Sequence, residues 1–137
     1  MVGRRPGGST ARIWPSRGVG PSAWSGDARK QVQIRRRFML VGQTADAMRV
    51  WDITRALDLL AQLPETTGLP RTASASGNMA VNLTYAALLS PHSLEALHLS
   101  DLPNSHMEGP DYLNVLRVTD FPEVLQVLKD SGLKILP

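Results

Sequence analysis

The chain has 137 residues, with 15 basic and 12 acidic side chains, a formal net charge of +3 and no cysteine. That length allows one domain of ordinary size. The missing thiols exclude disulfides, thiolate metal sites and a cysteine nucleophile, and no apolar run of about 18 residues is present to span a membrane.

Charge is unevenly placed. Residues 1–37 hold nine basic groups against the single acid Asp27, whereas residues 38–137 hold six basic and eleven acidic groups. Residues 1–30 are rich in Gly, Pro, Ser and Arg and show no period. Such a segment cannot bury enough apolar surface to offset its ordering entropy, so 1–30 reads as a disordered basic arm and 31–137 as the folding part. A basic arm reaches phosphates, which makes weak nucleic-acid binding one reading of it. Its aromatics, however, do not interleave with the charges as a base-stacking platform requires. No apolar core precedes a small-residue cleavage site, so no secretory signal is read, and the expected location is cytoplasmic with no membrane partner.

Residues 38–42 (FMLVG) form a short apolar run ending in glycine, read as a strand or a buried loop. Thr44 or Asp46 then caps a helix to about Gln62, with Val50, Ile53, Leu57, Leu60 and Ala61 at helical spacing and Arg49, Asp52, Arg55 and Asp58 outward. Arg49 or Arg55 is the expected partner of Asp52. Pro64 ends this helix, and 66–70 is a turn. Residues 71–77 (RTASASG) read as a small-residue strand running into a helix over 78–89, capped by Asn78 and apolar almost all round, hence buried on most sides. Residues 94–100 read as a strand, 111–118 and about 122–130 as two helices, and 133–137 as a further strand. Alternating elements imply a parallel sheet with helices on both faces. A sheet of three short strands leaves edges exposed, which points to self-association or to a missing remainder of the domain.

A small-residue strand entering a buried helix through a tight turn is the setting of a nucleophile elbow, where a serine stands above the sheet beside helix N-terminal amides. Here the turn reads Ala75–Ser76–Gly77–Asn78–Met79, and no G-x-S-x-G register fits it. Of the histidines, His92 falls in a turn after Pro91, and His98 falls in the 94–100 strand. His106 follows that strand on the side where α/β folds bind ligands, with a loop-ordering hydrogen bond as the alternative role. His98, His106 and Asp101 match no metal-ligand spacing. Asn82–Leu83–Thr84 spells a glycosylation sequon but lies in the helix read as buried.

Three blocks carry a resemblance: RRRFMLVGQTADAMRVWDITRALDLL, SASGNMAVNLTYAALL and LSDLPNSHMEGPDYLNVLRVTDFPEVL. Together with WSGDARKQVQI they resemble, from about Trp24 to Pro137, the C-terminal part of a planctomycete-type bacterial α/β-hydrolase. That group is similar to acetyl xylan esterases, dienelactone hydrolases and prolyl-oligopeptidase-type domains. The resemblance implies a partial three-layer α/β/α fold with a short parallel sheet. It places the nucleophile position on Gly77, with Ala75 and Met79 at the flanking glycine positions and Ser76 one residue early. The acid of such a triad follows the strand beginning at Leu133 and its histidine follows the next strand, so neither is expected within this sequence.

The reading is therefore a degenerate or truncated esterase-like hydrolase domain without autonomous catalysis. If it acts on esters, Ser76 is the candidate nucleophile, the amides of Gly77 and Asn78 are the oxyanion donors, and His106 is the candidate base. No metal and no cofactor are expected. The rival readings are a non-catalytic module associating through sheet edges and nucleic-acid binding by the basic arm.

Overall fold

A computed structural model describes residues 17–18, 27–91 and 93–136. His92 and most of the 1–30 arm lie outside the described residues. The first element is α1 (Ala28–Leu40), capped by the Asp27 carboxylate, which accepts from the Lys30 amide. This corrects the reading of 38–42 as a strand or buried loop: Phe38, Met39 and Leu40 complete a helix, and α1 buries no residue. The expected arm overlaps its first turn, and Arg17 and Gly18, also inside that arm, dock on the next helix through hydrogen bonds to Asp52 and Arg49.

Helix α2 (Ala45–Gln62) begins where expected, with the Thr44 hydroxyl accepting from the Ala47 amide. The Thr66 hydroxyl closes its far end by donating to the Leu60 and Leu63 carbonyls. Strand β1 (Thr72–Ser76), helix α3 (Asn78–Leu89), strand β2 (Ala96–Ser100), helix α4 (Phe121–Asp130) and strand β3 (Lys134–Leu136) follow. The helix expected over 111–118 is only a single 3-10 turn at Val115–Arg117. Asn114 before it is left-handed (φ 59°), which interrupts an α-helix.

The three strands are parallel in the order β1-β2-β3, with Ala75 beside Leu99 and Leu97 beside Ile135. Strand alternation sends Ala73, Ala75, Leu97, Leu99 and Ile135 to one face. There they pack with Ile53 and Leu57 of α2, Ala80, Leu83 and Ala87 of α3, and Leu125 and Leu128 of α4. The other face presents Thr72, Ser74, Ser76, His98, Ser100, Lys134 and Leu136, all exposed, and the buried Ala96. Among the described residues α2, α3 and α4 supply the side chains packed on the first face, and a three-layer arrangement is not shown. The architecture is mixed α/β, with α3 at its centre: Ala80, Val81, Leu83, Ala86 and Ala87 are buried together with Asn82 and Thr84. No described helix is long and apolar enough to cross a membrane.

Candidate functional site

One residue, Gly77, joins β1 to α3. Its φ of 58° and ψ of −135° lie in a region that only glycine enters without strain. Two bonds fix the bend: the Gly77 amide donates to the Ser100 carbonyl at 3.0 Å, and the Gly77 carbonyl accepts from the Ala80 amide at 3.0 Å. Gly77 itself is the cap of α3, and no side chain caps the helix, which corrects the assignment of Asn78. The Asn78 amide group instead lies against Gly109, where a Cβ would stand 3.0 Å from it. At Gly77 a Cβ would meet nothing within 4 Å, so the apex of the turn is open and carries no functional group.

Ser76 sits one residue before the apex, on the exposed sheet face. Its hydroxyl donates to Asp101 Oδ2 at 2.7 Å. Asp101 follows β2 immediately and holds a positive φ of 50°. A lone carboxylate is a much weaker base toward an alcohol than the imidazole or amine that activates serine nucleophiles. The Ser76–Asp101 pair ties two strand ends together and does not activate the hydroxyl.

His106 is placed elsewhere, 7% exposed in an aromatic pocket. Its ring lies 5.6 Å from the Tyr85 centroid, 5.3 Å from Tyr112 and 6.4 Å from Phe121. Nδ1 faces the Pro110 carbonyl at 3.4 Å and Nε2 faces the Tyr85 hydroxyl at 2.9 Å. A carbonyl can only accept, so the proton belongs on Nδ1 and Nε2 accepts from Tyr85. Burial, reinforced by the Asp120 charge, pushes the Tyr85 phenol up to about 12, which keeps it a neutral donor. Both ring nitrogens are therefore occupied inside the fold.

The backbone around His106 is held from α4. Asp120 Oδ2 accepts from the Ser105 hydroxyl at 2.6 Å and Oδ1 from the His106 amide at 2.8 Å. The same carboxylate caps α4 through the Phe121 amide at 2.7 Å, in a capping box completed by Glu123. The Ser105 hydroxyl above all, then the His106 amide, holds the Asp120 carboxyl below the usual range. Asp120 reaches the His106 backbone and leaves the ring to Tyr85 and Pro110. Ser76 and His106, the two residues singled out from sequence for catalysis, share no hydrogen bond: each has a different partner.

A second polar cluster lies on the other side of Tyr112. Asp46 Oδ1 accepts from Arg49 at 2.8 Å and from Asn82 at 3.1 Å, while Oδ2 accepts from the Asp111 amide at 3.1 Å. Asn82 in turn accepts from the Tyr112 hydroxyl at 2.5 Å. Burial, then the charge of Asp46, raises the Tyr112 phenol far above its ordinary value. Arg49 thus pairs with Asp46, and Asp52 pairs with Arg17 at 2.6 Å, in place of the expected partners within α2. Asn82, the sequon asparagine, is fully buried and used at both ends of its amide.

His98 is exposed on the open sheet face, apart from the His106 pocket. Among the described residues no three His, Asp or Glu side chains converge as a metal site would need. Sequence reasoning missed Tyr85, Tyr112, Asp101 and Asp120 as partners of its candidates. The available signal was Asn82, a polar residue in an otherwise apolar helix, which needs buried partners. No family model, curated protein or solved structure matches this chain.

Proposed function

We propose that this chain is a degenerate domain of α/β-hydrolase type, esterase-like in plan, that performs no hydrolysis of its own and acts as a non-catalytic module. The observation that carries this reading is the strand–Gly77–helix turn, which has the form of a nucleophile elbow and no hydroxyl at its apex. The likeness of residues 24–137 to the C-terminal part of such hydrolases supports it, as does the division of Ser76 and His106 between separate partners. In the complete three-layer plan of that fold, the open face bearing Ser74, His98 and Ser100 is where a second helical layer would pack.

The test is hydrolysis of p-nitrophenyl acetate by the wild-type chain and by Ser76→Ala. Equal rates at the level of buffer support the reading. A wild-type rate above background that Ser76→Ala removes would refute it.

One observation favours association as the module's role. Residues 72–76 on the β1 edge carry no charge and no proline, the features that ordinarily block edge pairing, whereas the β3 edge carries Lys134. Light scattering across a concentration series is expected to show a dimer that Ser74→Pro converts to a monomer. A monomer at every concentration would remove this role.

A further inference from the structure

We propose that α1 is a docking helix for B-form duplex DNA, seated in the major groove. The helix runs over 13 residues with no acid among them and with five cations: Arg29, Lys30, Arg35, Arg36 and Arg37. Arg35 alone is engaged, by Asp111, with contacts of 2.5 and 2.6 Å. Arg29, Lys30, Arg36 and Arg37 have no side-chain partner among the described residues and are all exposed.

Helical geometry sorts these residues by direction. At about 100° per residue, Arg35, Ile34, Phe38 and Met39 fall on one side of the helix. That side faces the domain, because Arg35 is bound to Asp111 there and the other three are half-buried. The outward side is centred on Gln33 and, seven residues on, the exposed Leu40. Arg29 and Arg36, seven residues apart, stand on one flank of it, and Lys30 and Arg37, also seven apart, stand on the other. Each pair spans about 10 Å along the axis. A surface groove along this stretch is lined by Asp27, Arg29, Lys30, Gln33, Ile34 and Arg37.

Two rows of cations flanking an amide is an arrangement matched by two rows of phosphates flanking base edges. The major groove of B-DNA is about 12 Å wide and admits a helix, whereas the major groove of A-form RNA is too narrow for side chains to read. The cation rows contact phosphates and fix the helix in place. Gln33 in the middle faces the bases. A membrane surface fits the helix less well, because it requires one continuous apolar face. The exposed apolar side chains Val32, Leu40 and Val41 point in three separate directions around the axis. The Asp27 carboxylate, which caps the helix and lines the same groove, is engaged by the Lys30 amide.

The experiment measures anisotropy of a labelled short DNA duplex with the full chain. Four phosphate contacts give a slope of about −3.6 in log affinity against log salt, so affinity falls about a hundredfold between 50 and 200 mM salt. The variant Arg29→Gln/Lys30→Gln/Arg36→Gln/Arg37→Gln keeps good helix formers at every position and is expected to remove that slope. The control variant Arg55→Gln/Arg117→Gln/Lys129→Gln/Lys134→Gln loses the same charge from other elements and is expected to keep it. Equal losses in the two variants, affinity independent of salt, or tighter binding to an RNA duplex of the same sequence would each overturn the proposal. So would binding to phosphatidylserine vesicles without binding to the duplex.

Discussion

Gly77 is the residue on which the site turns. Replacing it with alanine meets no steric obstacle, since nothing lies within 4 Å of the new Cβ. The cost is conformational, about 1–2 kcal/mol for holding a side chain at positive φ. Urea unfolding is expected to show that loss in the midpoint with an unchanged slope; no loss would mean that the turn relaxes away from its present geometry. Tyr85 makes a second residue-scale expectation. Its folded phenol, at about 12, lies above the unfolded value of ~10. A raised acid contributes stability that is complete below pH ~10 and lost as pH rises through the folded value. Wild type is therefore expected to lose stability between pH ~10 and ~12 more steeply than Tyr85→Phe. Identical alkaline profiles would show that Tyr85 does not hold its proton for His106.

Asp120 acts at the scale of elements, because one carboxylate caps α4 and holds the Ser105–His106 segment. Asp120→Ala is expected to free the His106 amide for hydrogen exchange and to fray the first turn of α4 together. Exchange enhanced at only one of the two places would separate functions that are joined here. With its carboxyl depressed, Asp120 contributes stability that is present above ~3.9 and lost as pH falls through the lower folded value. How far the elements could be read from sequence follows from where their determinants lie. Helix α2 carried its own cap at Thr44 and an apolar stripe, and α4 carried its capping box, so both were legible. The α1 helix was not, because Phe38–Val41 is a short apolar run that fits helix or strand equally. The signal overlooked there was Asp27, whose carboxylate caps the helix from outside it. Residues 111–118 have helical spacing, yet the Asp111 amide is bound to Asp46 and the Tyr112 hydroxyl to Asn82. Those long-range bonds hold the segment in another shape, and no local pattern encodes them.

At the scale of the molecule, the parallel sheet and its central buried helix were legible from alternation and composition, whereas the packing of α2, α3 and α4 together on one sheet face was not. The candidate site was legible in part. The resemblance implied Gly77 for the nucleophile position, and the turn between β1 and α3 falls on that residue. The fate of Ser76 and His106 was not legible, because it rests on Asp101 and Tyr85, each more than twenty residues away in the chain. Charge is divided in the same way, with the cations concentrated on α1 and the arm and the acids on the remainder. The chain thus combines a mixed α/β frame, whose β1–α3 turn presents no hydroxyl at Gly77, with a basic helix. The most direct measurement is intact-mass analysis after treatment with a fluorophosphonate, which reacts with activated serine hydroxyls. The mass is expected to stay that of the unmodified chain, because no serine hydroxyl among the described residues is hydrogen-bonded to an imidazole. A stoichiometric adduct on Ser76 would contradict the account.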